Sequence, residues 1–527
     1  MTLFERILTA RGLTTRAARQ AFLQPDYMAV KHDPFLLPDM KKAVARLKQA
    51  RQQGEKIVIY GDYDIDGLSA TALLLDVFGK FGFEDVDAFI PNRFVEGYGM
   101  TMGAVDKVRD MGADLIVTVD TGSLCHAEIA YATSLGIDTV VTDHHNVAET
   151  PPPSVAAVNP KFSGHTYPFR DLCGAGVAFK LVQALQTELD GLPDGYEKWL
   201  LDLVALGTVC DIVTLADENR ANVYWGLEVL KKQQRPGLKA LMTVAGIEPE
   251  QVNARHLGFG LGPRMNAAGR LETAQHALDM LVARDGLAAL EASEKLEELN
   301  IKRRGIQDAI FEEACVQAEQ LADDRVLVVS SDGWNHGVIG IVASKLVEKY
   351  KKPVFIIGEH GEEATGSARS FGDFSAADAV RAADDIIIKG GGHGAAAGVT
   401  LATERINDFR RRVNEFYDSL QLTNQERYLL PKADVEIDDF SEITEELVAN
   451  LAKMEPFGNG NPEPVLKITR VSVLSMRRMG ADGQHVKLAL RDKNGKVLQM
   501  LAFNAPEEFF REPGDEIAAW FQPTVNE

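Results

Sequence analysis

The sequence predicts an α/β protein with two α/β domains joined by a long helix, followed by a small C-terminal β-barrel. Short apolar segments alternate with helical stretches over residues 46–220, and a second such unit begins near Arg325. Leu281–Gln320 has the composition of one long helix, and short strand-like segments follow residue 424. Alternating strands and helices are typical of a parallel sheet covered on both faces. Ligands bind such sheets outside the carboxyl ends of the strands.

Five segments are expected along the chain: a helical lead-in (1–45), a first α/β domain (46–220), a helical connector (221–320), a second α/β domain (321–415) and the barrel (424–527). The lead-in is expected to be solvated surface without a functional role. The predicted strands of the first domain are Ile57–Tyr60, Val86–Ile90, Leu115–Val119 and Thr139–Thr142.

Composition limits the classes of function. The formal net charge of −21 argues against a protein that is basic overall, but arginines confined to one groove remain compatible with a DNA substrate. We expect no membrane association, because the sequence has no apolar run long enough to span a bilayer and no secretory signal. The four cysteines are widely spaced, which favours a reduced, cytoplasmic protein.

The most informative segment is Tyr60–Gly67, which places Asp62, Asp64 and Asp66 at alternate positions after an apolar run. In an extended strand such positions share one face, so the three carboxylates are expected to converge. A cation would offset their repulsion, and oxygen ligands suit Mg²⁺ or Mn²⁺. A solvated acidic turn is the alternative, and an EF-hand loop is disfavoured because no glutamate closes it.

Three further apolar runs end in metal-binding residue types. Asp120 follows Leu115–Val119, the triplet Asp143-His144-His145 follows Thr139–Thr142, and Asp211 follows Leu203–Cys210. Each residue alone fits a turn or a helix cap. All three runs are interpreted as strands, so we expect these side chains to meet at one sheet edge and form a two-metal site. Two cations roughly 3.5–4 Å apart can activate a shared water and stabilise a leaving oxygen.

These motifs resemble the DHH phosphoesterase superfamily, and further segments resemble the RecJ family of single-strand-specific exonucleases within it. The resemblance extends over almost the whole chain and implies a DHH domain, a DHH-associated domain and an oligonucleotide-binding barrel. The additional matching segments are Pro91–Phe94 with Gly97–Gly99, Leu261–Leu271, Trp334–Gly340, Gly366–Ser370, Gly390–His393 and Pro456–Asn461.

The resemblance implies a ligand set for two Mn²⁺ or Mg²⁺ ions, with Asp120 as the bridge and His145 near the scissile phosphate. Asp62 is expected to be a ligand or to accept a hydrogen bond beside the metals. Some DHH proteins carry histidine where this chain has Tyr60, which leaves the coordination number of one metal open. The implied metal ligands are Asp64, Asp66, Asp120, His144 and Asp211.

The resemblance also implies how substrate is held. Arg93, Ser367 and Arg369 are expected to bind the 5′ phosphate and thereby to set the polarity of degradation. Without the resemblance, a loop arginine would be interpreted as a solvated charge or a salt-bridge partner, the triple glycine as a tight turn and His336 as a structural histidine. The other implied substrate contacts are Arg264, Asn266, Arg270, His336, Gly391, Gly392 and His393.

The barrel is expected to bind single strands through a basic groove and aromatic platforms. The sequence leaves undecided whether this barrel closes, because RecJ relatives typically continue into a further strand after the segment Trp520–Glu527. A buried core position is favoured for Trp334 over a base-stacking one. The candidate contacts in the barrel are Arg477, Arg478, His485, Lys487, Phe503 and Trp520.

The expected function is metal-dependent 5′-to-3′ exonucleolytic hydrolysis of single-stranded DNA in repair and recombination. The expected protein is a monomer that acts with a single-strand-binding protein and a helicase. One alternative is a phosphodiesterase for short oligonucleotides or cyclic dinucleotides, which generally lacks the long connector and the barrel. The other is an inactive replication scaffold, which is disfavoured because all five implied ligands are present.

Overall fold

The computed structural model describes residues 1–97, 99–429 and 431–525. Tyr98, inside the Gly97–Gly99 motif, and Asn526 and Glu527, at the end of the barrel segment, lie outside the described residues. Contacts divide the chain into two units. The barrel unit comprises Met1–His32, Ile212–Trp225 and Pro431–Glu527, and the core unit comprises Asp33–Asp211 and Gly226–Leu430.

The secondary structure alternates as the sequence predicts. The strands are β1 (Ile57–Gly61), β2 (Val86–Phe89), β3 (Leu115–Val119), β4 (Asp138–Thr142), β5 (Ala156–Val158), β6 (Leu327–Asp332), β7 (Val354–His360), β8 (Glu363–Arg369), β9 (Ile387–His393), β10 (Ala396–Ala402), β11 (Val435–Ile437), β12 (Leu466–Met479), β13 (His485–Arg491), β14 (Val497–Ala502) and β15 (Glu516–Phe521). The helices are α1 (Leu3–Ala10), α2 (Arg16–Leu23), α3 (Tyr27–Val30), α4 (Met40–Gln53), α5 (Ile65–Phe78), α6 (Met102–Asp110), α7 (His126–Ser134), α8 (Gly174–Gln186), α9 (Leu201–Cys210), α10 (Asp217–Lys231), α11 (Pro236–Val244), α12 (Gly262–Leu271), α13 (Gln275–Val282), α14 (Gly286–Gln320), α15 (His336–Tyr350), α16 (Ala376–Arg381), α17 (Ile406–Ser419) and α18 (Glu445–Ala452).

The first sheet of the core unit is parallel, with strand order β2-β1-β3-β4-β5. Its central strands β1 and β3 are fully buried. Continuous apolar strands of this kind require helices on both faces, because neither face meets water. The order places β1 between β2 and β3, so the loops after those two strands flank the end of β1.

Two expectations about strand ends are wrong. β1 ends at Gly61, Asp64 caps helix α5 and Asp66 lies in its first turn, so Asp62, Asp64 and Asp66 do not share one strand face. The Asp64 carboxylate accepts from the backbone N–H groups of Asp66 and Gly67, which stabilises the helix start. Asp211 caps the C-terminus of helix α9 and does not follow a strand. The sequence is misleading here because an apolar run that is buried on all sides shows no helical or strand period.

The rest of the core unit contains the connector and the second α/β domain. Helix α14 forms the long connector that the sequence predicts, beginning five residues later than expected, and a π-helix (His256–Leu261) precedes α12. The second sheet has the order β6-β7-β8-β10-β9, with β6 and β7 parallel and the remaining pairs antiparallel. Trp334 is buried, as expected, and its indole N–H donates to Glu313.

The barrel unit contains a curled sheet built on the long strand β12. β11 pairs with β12 in parallel, while β13 and β15 pair with it antiparallel, and β14 pairs with β13. The expectation of a solvated lead-in is wrong for α1, because Leu3, Ile7 and Leu8 are buried in the core of this sheet. Arg6 of the same helix forms an ion pair with Glu442.

No helix among the described residues is both long enough and apolar enough to cross a membrane. The four cysteines are free; Cys173 and Cys315 are buried, and Cys125 and Cys210 are half-buried.

Candidate active site

Seven acidic and histidine side chains converge at the carboxyl end of the first sheet. Their potential ligand atoms form three groups, and the atoms of each group lie within 4.8 Å of one another. Two residues each belong to two groups, so the seven form one cluster. The groups are Asp62, Asp64 and Asp120; Asp120, His144 and His145; and Asp66, His144 and Asp211.

Asp120 lies at the centre of this cluster. It directly follows β3 and adopts a left-handed backbone conformation (φ 61°), which few residues other than glycine, asparagine and aspartate adopt readily. His144 Nε2 lies 3.1 Å from Asp120 Oδ1, 3.5 Å from Asp211 Oδ2 and 3.8 Å from Asp66 Oδ2. The imidazole therefore faces three carboxylates at once, as expected of a shared metal-binding position.

Two glycines allow helices to approach the cluster closely. The Asp66 carboxylate accepts hydrogen bonds from Gly174 N at 2.5 Å and Ala175 N at 2.8 Å, at the N-terminus of α8. A Cβ atom on Gly174 would lie 2.7 Å from Asp120 Oδ1, and one on Gly207 would lie 2.3 Å from Asp66 Oδ1. Neither position has room for a side chain, so both helices present bare backbone to the carboxylates.

Asp143 orients the two histidines. Its carboxylate accepts hydrogen bonds from His145 Nδ1 at 2.9 Å, from the backbone N–H of His144 and from Ser123 N. Burial raises the pKa of Asp143, but the hydrogen bond and the positive charge of His145 bring it well below its usual range. Burial lowers the pKa of His145, and Asp143, Asp211 and Asp62 outweigh that effect and raise it to about 9.

The carboxylates of the cluster destabilise one another's charged forms. Burial first, and then the charge of neighbouring aspartates, raises the pKa of Asp62 to about 7, of Asp66 to about 6 and of Asp211 to about 8. The same two causes raise the pKa of Asp120 well above its usual value. Burial and the charge of His145 lower the pKa of His144 to about 3, so its imidazole is neutral and able to bind a metal.

The donor set fits divalent cations. Asp62 Oδ1, Asp120 Oδ1 and His144 Nε2 are buried and make no hydrogen bond of acceptable geometry within the described residues. Buried polar atoms without partners are costly, and a coordinated cation would satisfy all three. Carboxylate oxygens with one or two imidazoles match the preferences of Mn²⁺ and Mg²⁺.

These pKa shifts predict how pH and metal together affect stability. Folding raises the pKa values of Asp62, Asp66 and Asp211, so the stability these groups contribute is complete below the unfolded value of about 4. It is lost as pH rises through their folded values of about 6 to 8. A bound cation offsets the charges that remain, so Mn²⁺ is expected to raise Tm more at pH 8 than at pH 6. Thermal unfolding with Mn²⁺ or EDTA measures this, and equal Tm shifts at both pH values would contradict it.

A group of arginines lies beside the carboxylates. The Arg93 guanidinium lies 4.4 Å from the centre of the Tyr63 ring, and Tyr63 stands between Asp62 and Asp64. Arg369 donates to Ser367 Oγ at 3.2 Å, and Arg270 donates to Gly337 O at 2.9 Å.

The positive charges of these arginines favour the binding of an anion. Burial, followed by the charges of Arg93 and Arg303, lowers the pKa of Arg270 to about 10. Burial and the charges of Arg93 and His360 lower the pKa of His336. The hydrogen bonds described for Arg270 and Arg369 go to neutral oxygens. These mutually repelling cations are suited to bind a phosphate.

Arg303, whose positive charge also lowers the pKa of Arg270, is not identified from the sequence. It lies on α14, is nearly buried, and donates to Asn300 Oδ1 and Gln307 Oε1. A charged residue in a helix rich in Lys and Glu resembles solvated surface. The available signal was the polar set Asn300, Arg303 and Gln307, which recurs at helical spacing on one face.

The remaining predicted contacts differ in their surroundings. Arg264 Nε lies 2.6 Å from Glu297 Oε2, and its Nη1 donates to Gly260 O. Asn266 is half-buried on the same helix, α12. Gly391, Gly392 and His393 lie exposed on β9, at the edge of the second sheet.

Tyr60, which replaces the histidine of some relatives, is buried and not available as a ligand. Its hydroxyl donates to Gly99 O at 3.0 Å, and its ring packs against Phe89. Burial raises its pKa, so the neutral phenol persists.

The barrel unit carries charged and aromatic side chains on strands β12, β13 and β15. The Arg478 guanidinium lies 3.8 Å from the centre of the Phe510 ring, and the ring of Phe503 packs edge-on against His485. Arg477 is paired with Lys487 across β12 and β13, and the Trp520 ring lies 5.5 Å from Lys467 Nζ.

Family models match three parts of the chain. The DHH family N-terminal domain matches residues 56–208, the DHHA1 domain matches 323–419, and the RecJ OB domain matches 433–527. These matches agree with the parallel sheet, the second α/β sheet and the curled β-sheet. The predicted fold class is therefore confirmed.

Several similar proteins and solved structures are RecJ exonucleases. The single-stranded-DNA-specific exonuclease RecJ of Bacillus subtilis is 39% identical over 528 residues, which cover 99% of this chain and 65% of that protein. RecJ of Escherichia coli K12 is 34% identical, with 93% of this chain and 88% of that protein covered. The crystal structure of Thermus thermophilus RecJ in complex with Mn²⁺ superposes with a TM-score of 0.81 at 30% identity, covering 98% of this chain and 72% of that one. The chain belongs to the RecJ family.

Proposed function

We propose that the protein is a metal-dependent exonuclease that hydrolyses phosphodiester bonds of single-stranded DNA from the 5′ end. The observation that carries this proposal is the cluster of seven aspartates and histidines beside a group of arginines. The names of the B. subtilis and E. coli relatives support the substrate class. This chain spans 65% of the length of the B. subtilis protein, so the activity of the whole relative is carried over as part of the proposal.

Two divalent cations, Mn²⁺ or Mg²⁺, are the proposed cofactors. The proposed ligands are Asp64, Asp66, Asp120, His144 and Asp211. RecJ structures have been solved with Mn²⁺ and with Mg²⁺, which supports this choice. Bound cations would supply Lewis acidity for the attack of water on the phosphodiester.

His145 is proposed to stabilise negative charge on the scissile phosphate. Its pKa of about 9 keeps the imidazole protonated at neutral pH. The hydrogen bond from Nδ1 to Asp143 fixes the orientation of the ring, so little reorganisation is needed when substrate binds. Asp62 is proposed to assist as a ligand or as an acceptor beside the metals.

The arginines are proposed to bind the 5′ phosphate and so to set the direction of degradation. Arg93, Ser367 and Arg369 would contact the terminal phosphate, and Arg270 would add positive charge. His336 would contact the substrate as a neutral imidazole, because its pKa is lowered. A terminal phosphate held by these residues would present the first phosphodiester bond of the strand to the metals. Single strands exposed by a helicase and covered by a single-strand-binding protein are the substrates that this function would meet.

Arg369→Ala is expected to remove the preference for a 5′ phosphate. Arg369 is half-buried. Loss of its charged hydrogen-bond donors is expected to cost about 2 kcal/mol or more, which corresponds to roughly 30-fold or more in kcat/KM on 5′-phosphorylated strands. The activity on 5′-hydroxyl strands is expected to change little. Arg381→Ala, at a surface ion pair of the same domain, is the matched control. An equal loss on both substrates would contradict a role in terminal recognition.

The proposed function is tested by following single strands labelled at the 5′ or 3′ end, with Mn²⁺, Mg²⁺ or EDTA. The proposal predicts immediate release of the 5′ label as a mononucleotide and slow, progressive shortening of 3′-labelled strands. EDTA is expected to stop both. Initial release of the 3′ label, or activity in EDTA, would overturn the proposal. Cleavage limited to dinucleotides would favour the short-oligonucleotide phosphodiesterase.

A further inference from the structure

Three large apolar side chains are exposed beside the candidate active site. Phe94 and Val95, in the loop after β2, are 48% and 72% exposed, and Leu124, in the loop after β3, is 59% exposed. In the strand order β2-β1-β3, these loops flank the end of β1, where Asp62 begins the carboxylate cluster. We call these three residues the apolar rim.

The loop that presents Phe94 and Val95 is held by specific hydrogen bonds. Asn92 Oδ1 accepts from Phe94 N at 2.9 Å, and Asn92 O accepts from the backbone N–H groups of Val95 and Glu96. Asn92 Nδ2 donates to Glu272 O at 3.1 Å, and Glu96 Oε2 accepts from Asn92 N at 2.7 Å. These hydrogen bonds hold two apolar side chains in water. Exposed apolar surface is unfavourable in free energy, and the folding of the turn does not require it.

The rim adjoins both charged groups of the site. Phe94 directly follows Arg93, whose guanidinium stacks on Tyr63 between Asp62 and Asp64. The charge of Arg93 lowers the pKa values of Asp62 and Arg270, which places it within electrostatic reach of the carboxylates and of the other arginines. A strand with phosphates at both places would pass its terminal nucleotides along this rim.

We propose that the apolar rim contacts unpaired nucleobases at the 5′ end of the strand and thereby selects single strands. This inference rests on the proposed function, because the phosphate sites define where the strand lies. Cations and metals bind the backbone and do not distinguish paired from unpaired DNA. Aromatic and apolar side chains can stack on a base only when its face is exposed, which base pairing and stacking in a duplex prevent.

A base is favoured over a protein partner as the occupant of the rim. The rim consists of three side chains on two separate loops, beside buried cations that call for phosphate. A protein-binding surface requires a larger apolar patch than this one. Stacking is also tolerant of base identity, as an exonuclease that degrades any sequence requires.

The test couples rim variants with substrates that lack bases. Wild-type protein, Phe94→Ala and Leu124→Ala are compared on 5′-phosphorylated strands with normal or abasic terminal nucleotides. Abasic termini are expected to raise the wild-type KM about tenfold, the lower part of the range for one stacked base. Phe94→Ala is expected to raise KM similarly on normal strands and to show little further loss on abasic ones. Leu287→Ala, which removes an exposed side chain at the start of α14, is the control and is expected to behave as wild type.

Two further measurements separate this inference from the proposed function. Binding of the same strands in EDTA, followed by fluorescence anisotropy, reports on base contacts even if hydrolysis is absent. Phe94→Trp is expected to retain the wild-type KM and to lose more tryptophan fluorescence than the wild type when normal strands bind, but not when abasic strands bind. Losses of equal size on normal and abasic strands for Phe94→Ala, or binding unchanged by both rim variants, would overturn the inference. Retained DNA activity with lost binding to another protein would indicate a docking surface instead.

Discussion

Replacing Asp120 with asparagine is expected to abolish metal-dependent hydrolysis while making the metal-free protein more stable. Asp120 belongs to two of the three ligand groups, so its loss affects both proposed cations. Loss of several kcal/mol of transition-state stabilisation corresponds to a fall of at least about 10³-fold in kcat. The amide has nearly the same shape as the carboxyl group, so the left-handed backbone at this position is retained.

The gain in stability follows from the electrostatics of the cluster. Burial and the charges of Asp66, Asp64 and Asp62 raise the pKa of Asp120 well above its usual value. A neutral side chain removes one source of this repulsion, so Tm in EDTA at pH 8 is expected to rise. The increase in Tm that Mn²⁺ produces in the wild-type protein is expected to disappear in the variant.

Asp114→Asn is the matched control for this prediction. Asp114 precedes the same strand, β3, at its opposite end and accepts a hydrogen bond from Lys56 N. Its substitution is expected to leave hydrolysis and the Mn²⁺-induced rise in Tm unchanged. Mn²⁺-dependent hydrolysis that survives Asp120→Asn would show that the metals bind elsewhere. A lower Tm of the metal-free variant would show that repulsion does not dominate at this position.

The sequence predicts the fold class because strand and helix periods are explicit in it. β3 has the predicted bounds, and β1 and β4 each extend one residue further, since continuous apolar runs with polar ends leave little choice of strand boundary. Continuous apolar runs also explain why the sequence wrongly predicts that Asp211 follows a strand. Its preceding run Leu203–Cys210 is as apolar as a strand but is a helix buried on all sides, and periodicity does not distinguish the two.

The composition of the cluster could be predicted, but its geometry could not. Alternate spacing indicated that Asp62, Asp64 and Asp66 act together, although the cause is a strand-to-helix turn that distributes them over two ligand groups. The sequence gives no indication of the contacts that form between segments far apart along the chain. Gly174 and Gly207 approach the carboxylates from helices α8 and α9, more than 100 residues after Asp66.

The barrel unit shows the same limit on a larger scale. Leu3, Ile7 and Leu8 enter the core of a sheet that begins more than 400 residues later. Their spacing indicates an amphipathic helix but not the surface that the helix covers. A short amphipathic helix at a chain end therefore resembles a solvated lead-in when the sequence is read alone.

Gly207→Ala is expected to weaken metal binding strongly although it adds only one methyl group. The new Cβ atom would lie 2.3 Å from Asp66 Oδ1 and 2.9 Å from Ala175 Cβ, so it meets a carboxylate and a helix at once. Asp66 has no alternative position at equal cost, because the backbone N–H groups of Gly174 and Ala175 bind its two oxygens. Displacing Asp66 removes one residue of the group it forms with His144 and Asp211.

Gly305→Ala provides the matched control, because it makes the same change inside helix α14 where a Cβ atom meets nothing within 4 Å. Alanine is favoured over glycine in an unobstructed helix by about 0.5–1 kcal/mol, so this variant is expected to be slightly more stable and fully active. For Gly207→Ala we expect a folded protein by circular dichroism, with Mn²⁺ affinity measured by calorimetry reduced at least about 100-fold, in the upper range for disturbing a ligand's support. Wild-type affinity in Gly207→Ala would contradict the assignment of Asp66 as a ligand, since the methyl group and an undisplaced carboxylate cannot occupy the same space.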